Sequence, residues 1–244
     1  MIEQPQSLLR GDFHVHSSWS DDAHSTIEQN IAAAAEVGLT ELRLIDHVRQ
    51  STTWVPEFLS EVARQPARDG LSIYTGVEAK ILNSSGALDL PTDLIVGAGG
   101  VDAVVIADHQ FPGTDGAWSP DATRARLANG LAASDALDLL INALVAAMRS
   151  IDSAQLAHCF SILPKIGLDE EQLGDDQLNT WARTAAHTGT LIEVNEKWGC
   201  PSPRSIRAAW AAGARVVAST DSHHAADVGR YDRVGRILSQ AVQA

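Results

Sequence analysis

Residues 11–22, GDFHVHSSWSDD, place three residues that can ligate a metal within a span of eight positions. The stretch begins with alternating side chains, which predicts a short strand with His14 and His16 on the same face. Two imidazoles about 7 Å apart along a strand can turn toward one ion, and Asp21 lies in the polar loop that follows. A His-x-His pair by itself is explained equally well by two surface histidines, so the histidines further along the chain decide the interpretation.

The chain has 244 residues and a formal net charge of -13. Barrels of this length routinely form one domain, so we expect residues 1–244 to form a single domain. The acidic surface would repel a phosphate backbone, which argues against a role in binding a nucleic-acid polymer. We expect a cytoplasmic protein, since residues 1–10 are polar and unlike a secretory signal, and two cysteines cannot form a disulfide framework. No apolar run approaches the ~20 residues of a membrane span, and nothing in the sequence indicates an oligomeric state.

Strand-like and helix-like segments alternate along the chain. The predicted strands are 10–16, 39–47, 71–78, 101–109, 154–159, 190–195 and 214–220. Helices are predicted over 26–37, 55–64, 120–149 (as one or two helices), 175–187, 203–212 and 231–242. Segment 88–96 is interrupted by Pro91 and is interpreted as a small hairpin or an extra strand.

This alternation, read as seven β-then-α units, predicts an α/β fold with parallel strands and helices outside. Closure into a seven-stranded barrel is the natural solution at this length. An open doubly wound sheet is the alternative, but no Gly-x-Gly-x-x-Gly or P-loop pattern follows any predicted strand.

The histidines and several carboxylates concentrate at the C-terminal ends of the predicted strands. These ends converge on one mouth of a barrel, where catalytic groups collect. Such nitrogen and oxygen donors suit Zn, Mn or Fe better than Mg or Ca. The set is too large for one ion and predicts two to three divalent transition-metal ions. Its nine members are His14, His16, Asp21, His47, Glu78, His109, His158, Asp221 and His223.

The ordered motifs HVH…D, DH, GVE, DH, AHC and TDSH resemble the PHP (polymerase and histidinol phosphatase) family. The resemblance runs from Asp12 to the last helix and implies a distorted (β/α)7 barrel, in agreement with the strand count. One local departure is Ala-Asp-His at the fourth strand, where a Ser-x-His motif is commoner in the family. The resemblance also implies three ligand groups: His14, His16, Glu78 and Asp221; Glu78, His109 and His158; and Asp21, His47 and His223.

A phosphate group needs cations besides the metals, and four basic residues are candidates to contact it. Arg49 and Lys80 each follow a predicted ligand by two residues. Lys197 and Arg204 follow the sixth strand, where phosphatases of the family tend to place an arginine, and they compete for that role. Each of the four is also explained as a solvated surface charge.

Three more polar residues are candidates at the same mouth. Asn195 ends the sixth strand and can hydrogen-bond a substrate or a ligand. His24 and His224 lie in loops and are candidates for a proton donor or for support of the ligands.

These features predict a metal-dependent phosphoesterase that hydrolyses a small phosphorylated metabolite, with a hydroxide bridging the ions as the nucleophile. Histidinol-phosphate phosphatase activity is a narrower alternative. An amidohydrolase-like C–N hydrolase uses a similar His-x-His barrel, and a non-catalytic metal-binding module is a third alternative. The identity of the substrate is not encoded in any motif of the loops.

Overall fold

The computed structural model describes residues 5–243. Seven strands form one parallel sheet and two more form a separate hairpin, all numbered in chain order. The strands are β1 (Gly11–Val15), β2 (Glu41–His47), β3 (Ser72–Lys80), β4 (Ala103–Ala107), β5 (Phe111–Gly113), β6 (Gly116–Trp118), β7 (Ala154–Leu156), β8 (Leu191–Asn195) and β9 (Val216–Ser219). The large sheet has the order β1-β2-β3-β4-β7-β8-β9, and β5 pairs with β6.

The first and last strands of the large sheet meet and nearly close it into a barrel. The amide of His16 donates to the carbonyl of Ser222 at 2.9 Å, and Val15 forms a parallel bridge with Ser222. Every neighbouring pair in the large sheet is parallel. The predicted (β/α)7 barrel is therefore confirmed.

Helices connect the strands on the outside of the barrel. They are α1 (Pro5–Leu8), α2 (Ile27–Glu36), α3 (Val55–Ala63), α4 (Pro120–Ala128), α5 (Ala133–Ser150), α6 (Ile162–Ile166), α7 (Asp175–Thr188), α8 (Pro203–Ala212) and α9 (Arg233–Gln243). Local signals set their ends: Thr26 and Gln29 form a capping box at the start of α2, and Gly213 ends α8 in the left-handed region. No helix within residues 5–243 is long and apolar enough to cross a membrane.

Three connections differ from the sequence prediction. Segment 88–96 makes only isolated bridges, Ile81 with Leu88 and Val96 with Val101, and contains no strand. The hairpin lies instead at β5–β6, where the rings of Phe111 and Trp118 stack at 5.6 Å. The fifth strand of the barrel ends at Leu156 rather than residue 159, and the chain then turns into α6, which the sequence did not predict.

A small apolar cluster fills the inside of the barrel and comprises Ile45, Val105, Ala107 and Ala157. Ile45 lies on the same face of β2 as Arg43 and His47, since alternate residues of a strand share a face. The apolar cluster therefore lies between the mouth, where the strands end, and the opposite end, where they begin. The much larger core lies between the sheet and the outer helices.

Candidate metal centre

Glu78, near the C-terminal end of β3, lies at the centre of the predicted ligand set. Its carboxylate is buried, and its two oxygens lie 2.8–3.5 Å from ring nitrogens of five histidines. Oε1 faces His109 and His158 at 3.1 and 3.2 Å, and Oε2 lies 2.8 Å from His47 Nδ1. The five histidines are His14, His16, His47, His109 and His158. One carboxylate thus joins residues from four strand ends and their loops.

A second convergence lies between β1 and the end of β9. The Nε2 atoms of His14 and His16 are 2.9 Å apart, and Asp221 Oδ1 lies 3.5 Å from His16 Nε2. Asp221 has a positive φ of 56°, a conformation that costs energy for a residue with a side chain and that concentrates at functional sites. These three residues form a group that could hold one ion.

The third group differs from the sequence prediction in its carboxylate. Asp22, not Asp21, turns toward the histidines, with Oδ1 3.7 Å from His47 Nε2 and Oδ2 3.3 Å from His223 Nε2. Asp21 lines the same pocket but makes no ion pair or side-chain hydrogen bond within residues 5–243. The loop is held by Ser20, whose hydroxyl accepts from the amide of His47 at 3.0 Å, and this anchor lets Asp22 fold back.

The donor set fits divalent transition-metal ions. Glu78 Oε2 is buried and makes no hydrogen bond within the described part of the chain, although buried carboxylate oxygens ordinarily have a partner. Burial alone would raise the pKa of Glu78, but His109 and His14 hold it well below its usual range. A carboxylate surrounded by imidazole nitrogens is a donor set that suits Zn, Mn and Fe.

Two further carboxylates support this set from behind. Asp46 accepts hydrogen bonds from the amide and hydroxyl of Ser17 and from the Ser20 hydroxyl at 2.7–2.9 Å, and its burial raises its pKa to about 7. Asp108 accepts from the amide of Phe160 and the hydroxyl of Ser161, both at 3.1 Å. Each of the two acids directly precedes a predicted ligand in the sequence and fixes the loop that holds the ligands.

A cavity of about 740 Å³ opens above the ligands at the mouth of the barrel. Arg49, Lys80 and Lys197 line it, together with the tryptophans Trp19, Trp54 and Trp198. Lys197 Nζ lies 3.6 Å from Asp221 Oδ1 and 3.3 Å from His223 Nδ1, so it reaches the ligand groups directly. Metal ligands, cations and aromatic walls therefore share one cavity.

The profile of the PHP domain family matches residues 12–197 of this chain. The chain belongs to the PHP family. A probable phosphatase of Acetivibrio thermocellus is 25% identical over 238 residues, which cover 94% of this chain and 86% of that protein. A probable phosphatase of Photobacterium profundum is 26% identical over 242 residues, which cover 94% of this chain and 84% of that protein.

A solved structure shares the fold of this chain. The histidinol phosphate phosphatase of Lactococcus lactis, crystallised with zinc, L-histidinol and phosphate, superposes with a TM-score of 0.64. The alignment covers 96% of this chain and 92% of that chain at 15% identity. At this identity the likeness establishes the shared fold.

Other candidate residues of this PHP chain lie away from the mouth. Arg204 donates to the carbonyl of Leu173 at 2.8 Å and to Asp175 at 2.6 Å, and it does not line the mouth cavity. The geometry therefore favours Lys197 over Arg204 as the cation beside the site. Asn195 is buried; it accepts from the amide of Trp198 at 2.9 Å and is not among the residues that line the mouth cavity.

The histidines predicted as proton donors form a separate pair. The rings of His24 and His224 stack on each other at 4.5 Å and line a shallow surface pocket with Glu36 and Arg230. Neither histidine lines the mouth cavity. Their predicted role in proton transfer therefore has no support in the geometry.

Sequence reasoning missed Glu193, which is fully buried on β8. Its Oε2 lies 2.9 Å from His14 Nδ1, and its Oε1 accepts from Asn195 Nδ2 at 2.5 Å and from the amide of His158 at 3.2 Å. A signal was present in the sequence, because Glu193 is a charged residue inside the apolar strand LIEVN. Carboxylates of this kind orient the imidazoles that bind metals.

Proposed function

We propose that this PHP protein is a metal-dependent phosphoesterase that hydrolyses a small phosphorylated molecule. The observation that carries the proposal is the mouth cavity, where the clustered histidines and carboxylates lie beside three cationic side chains and the buried Glu78 Oε2 makes no hydrogen bond within the described residues. Both relatives reported above are named probable phosphatases, which supports the same chemistry.

We further propose that the site holds two or three ions of Zn, Mn or Fe. Three overlapping groups support this number: His14, His16 and Asp221; His47, Glu78 and His109; and His16, His47 and His223. His158 completes the second group through Glu78, and Asp22 takes the place predicted for Asp21 in the third. Such ions act as Lewis acids toward a phosphoryl oxygen and generate a nucleophile from water at neutral pH.

The side chains around the cavity would bind the substrate and compensate its negative charge. Lys197 has its ammonium beside two ligand groups and is placed to contact a phosphoryl oxygen as negative charge develops. Arg49 and Lys80 lie on the wall of the cavity and add positive charge for a phosphomonoester dianion. The three tryptophans give the cavity apolar surfaces that can pack against the organic part of the substrate.

A carbonyl substrate is the second chemistry that the ligand set could serve. A neutral amide has no need of the three cations, so their presence favours phosphate. Histidinol phosphate is one candidate within the phosphoester class, and the shared fold with the Lactococcus lactis enzyme does not select it.

The single-domain organisation and the cytoplasmic location stay predictions.

The test is a substrate panel with the metal-loaded protein. Phosphomonoesters, including histidinol phosphate, phosphodiesters and amides are compared by kcat/KM after reconstitution with Zn, Mn or Fe. We expect a phosphoester to be the best substrate and elemental analysis to find two or three ions per chain. Faster hydrolysis of an amide than of every phosphoester would overturn the phosphoesterase proposal, and a chain that binds none of the three metals would overturn the metal site itself.

A further inference from the structure

A buried hydrogen-bond chain of four side chains links His14 to the end of the barrel opposite the mouth. His14 Nδ1 lies 2.9 Å from Glu193 Oε2, which also accepts from Gln155 Nε2 at 2.7 Å. Gln155 Oε1 in turn accepts from Arg43 Nη1 at 2.5 Å. All four residues are buried, and they come from β1, β8, β7 and β2. The chain therefore crosses the interior of the barrel.

Arg43 lies at the end of the barrel opposite the mouth. It lines a cavity of about 330 Å³ that is bordered by the first residues of several strands, among them Glu41 and Ala103. Its guanidinium lies 5.1 Å from the ring centroid of Phe13 and 6.0 Å from that of Tyr74.

Packing alone does not explain an arginine at this position. Taking a guanidinium out of water is costly unless its hydrogen bonds are replaced. Arg43 Nε has no hydrogen-bond partner within residues 5–243, so the replacement is incomplete. The bond to Gln155 is the side-chain hydrogen bond that links this buried charge to the interior of the barrel.

The donor and acceptor atoms of the four side chains allow this hydrogen-bond chain only one direction. An arginine side chain can only donate hydrogen bonds, and Arg43 stays protonated at neutral pH because burial lowers its pKa only to about 10. The oxygen of the Gln155 amide must therefore face Arg43, and its NH2 group must face Glu193. Glu193 accepts hydrogen bonds at both oxygens and, as a carboxylate, has none to donate. His14 Nδ1 must therefore carry the proton and donate to Glu193.

We propose that Arg43 is a positioning residue that, through Gln155 and Glu193, fixes the ring orientation and the tautomer of His14. With the proton on Nδ1, the lone pair of Nε2 is turned toward His16 and Glu78, where an ion would be held. The inference rests on the metal site proposed above. Loss of a partner behind a metal ligand typically costs about 10–100-fold in metal affinity.

The experiment measures zinc binding rather than catalysis. Competition with a chromophoric chelator gives the Zn²⁺ affinity of the wild type, Arg43→Met, Gln155→Leu and the rescue variant Arg43→Lys. Thr75→Val is the matched control, because it removes a 3.0 Å hydrogen bond to Asp102, which lines the same far cavity, and leaves Arg43, Gln155, Glu193 and His14 unchanged. We expect Arg43→Met and Gln155→Leu to weaken binding of one ion about 10-fold or more. Arg43→Lys should recover most of that loss, and Thr75→Val should stay within about twofold of the wild type.

A second readout reports the tautomer directly. In zinc-loaded protein labelled with 15N-histidine, the wild type should show a protonated Nδ1 for His14, assigned by its disappearance in His14→Gln. Arg43→Met and Gln155→Leu should shift or broaden this signal, whereas Thr75→Val should leave it in place. A general loss of packing would not move one ring nitrogen selectively.

The outcomes separate this inference from the proposed function. If Arg43→Met and Gln155→Leu bind Zn²⁺ as tightly as the wild type and keep the His14 signal, the inference is wrong while the metal site stands. An equal loss in Thr75→Val would overturn it too. If the wild type binds no zinc, the metal site fails and this inference fails with it. Should Arg43→Met not fold, the comparison of Gln155→Leu with Arg43→Lys and Thr75→Val decides.

Discussion

Two groups of histidines lie near each other in this barrel and differ in their exposure and in what their rings contact. The inner group comprises the five histidines whose ring nitrogens lie 2.8–3.5 Å from the Glu78 carboxylate, together with His223, which shares a possible metal-binding group with His16 and His47. The outer pair, His24 and His224, is exposed and stacks ring on ring at 4.5 Å in a separate pocket. His223 and His224 are consecutive, yet one belongs to the inner group and the other to the outer pair.

The comparison shows that position at a strand end does not make a histidine a ligand. Three of the inner histidines, His14, His16 and His47, face Glu78 Oε2, which is buried and makes no hydrogen bond within residues 5–243. Such an arrangement is costly in the absence of a cation and favourable in its presence. The outer rings are exposed and stack on each other, and within residues 5–243 neither forms an ion pair with a carboxylate, so nothing in their surroundings calls for an ion. The following predictions test this difference, from the largest expected effect to the smallest.

Glu78→Gln should abolish function by removing the carboxylate that five imidazoles share. We expect elemental analysis to show lost metal and kcat/KM on the best phosphoester to fall by about 10³-fold or more, because the Lewis acidity of the ions is worth several kcal/mol. Glu36→Gln, the same substitution beside the outer pair, is the matched control and should change neither quantity. Full metal content in Glu78→Gln would contradict the central place of this carboxylate.

Removal of the ions should also destabilise the fold. At a free metal concentration about 100 times the Kd, binding adds about 2.7 kcal/mol of stability. For a chain of this length that corresponds to a Tm lower by about 5–10 °C after treatment with a chelator. Thermal unfolding with and without the chelator measures the shift. A double variant of the outer pair, His24→Ala with His224→Ala, should show the same shift as the wild type.

Lys197→Met should lower kcat/KM on a phosphoester by about 10²-fold while metal content stays intact, since one stabilising donor at the transition state is typically worth that much. Arg204→Met is its control, because Arg204 is engaged with Leu173 and Asp175 outside the mouth cavity. A larger effect of Arg204→Met than of Lys197→Met would show that the static geometry misassigns the cation.

Asp22→Asn should weaken the last ion to bind by about tenfold, a modest effect because the Asp22 carboxylate is more than half exposed and screened by water. Asp21→Asn, one residue away, should leave metal affinity unchanged. Titration of the protein with Zn²⁺ compares the two variants. The reverse result would restore the sequence prediction of Asp21.

The sequence predicted the barrel, and the convergence of the candidate ligands at one mouth, because both follow from periodicity. Strand ends of a parallel barrel meet at one mouth, so the sequence could predict that His47, Glu78 and His109 lie close together. No such rule decides which of two adjacent loop residues faces the site. Asp21 and Asp22 differ only in how the turn after Ser20 folds, and that turn depends on a hydrogen bond to the His47 amide.

Long-range contacts set the remaining limits of prediction. Glu193 was visible as a charge inside an apolar strand, but its partners His14 and Gln155 lie far away in sequence. The hairpin β5–β6 depends on the stacking of Phe111 on Trp118 and on Gly113, where a Cβ would lie 1.9 Å from the Trp118 ring. No local pattern distinguishes such a tertiary contact from an ordinary loop.

The smallest expected effect comes from the outer pair. His24→Ala and His224→Ala should each leave kcat/KM and metal content within about twofold of the wild type, because substitutions of exposed side chains away from a site have little effect. The backbone explains how a neighbour of His223 can be so uninvolved: the amide of His24 donates to the carbonyl of His223 at 2.9 Å, so the main chain is anchored without either ring. Measurement of the pH profile of kcat adds the decisive check. If one of these variants lost the limb of the profile that reports a general acid, the outer pair would take part in proton transfer and the division between the two groups would be wrong.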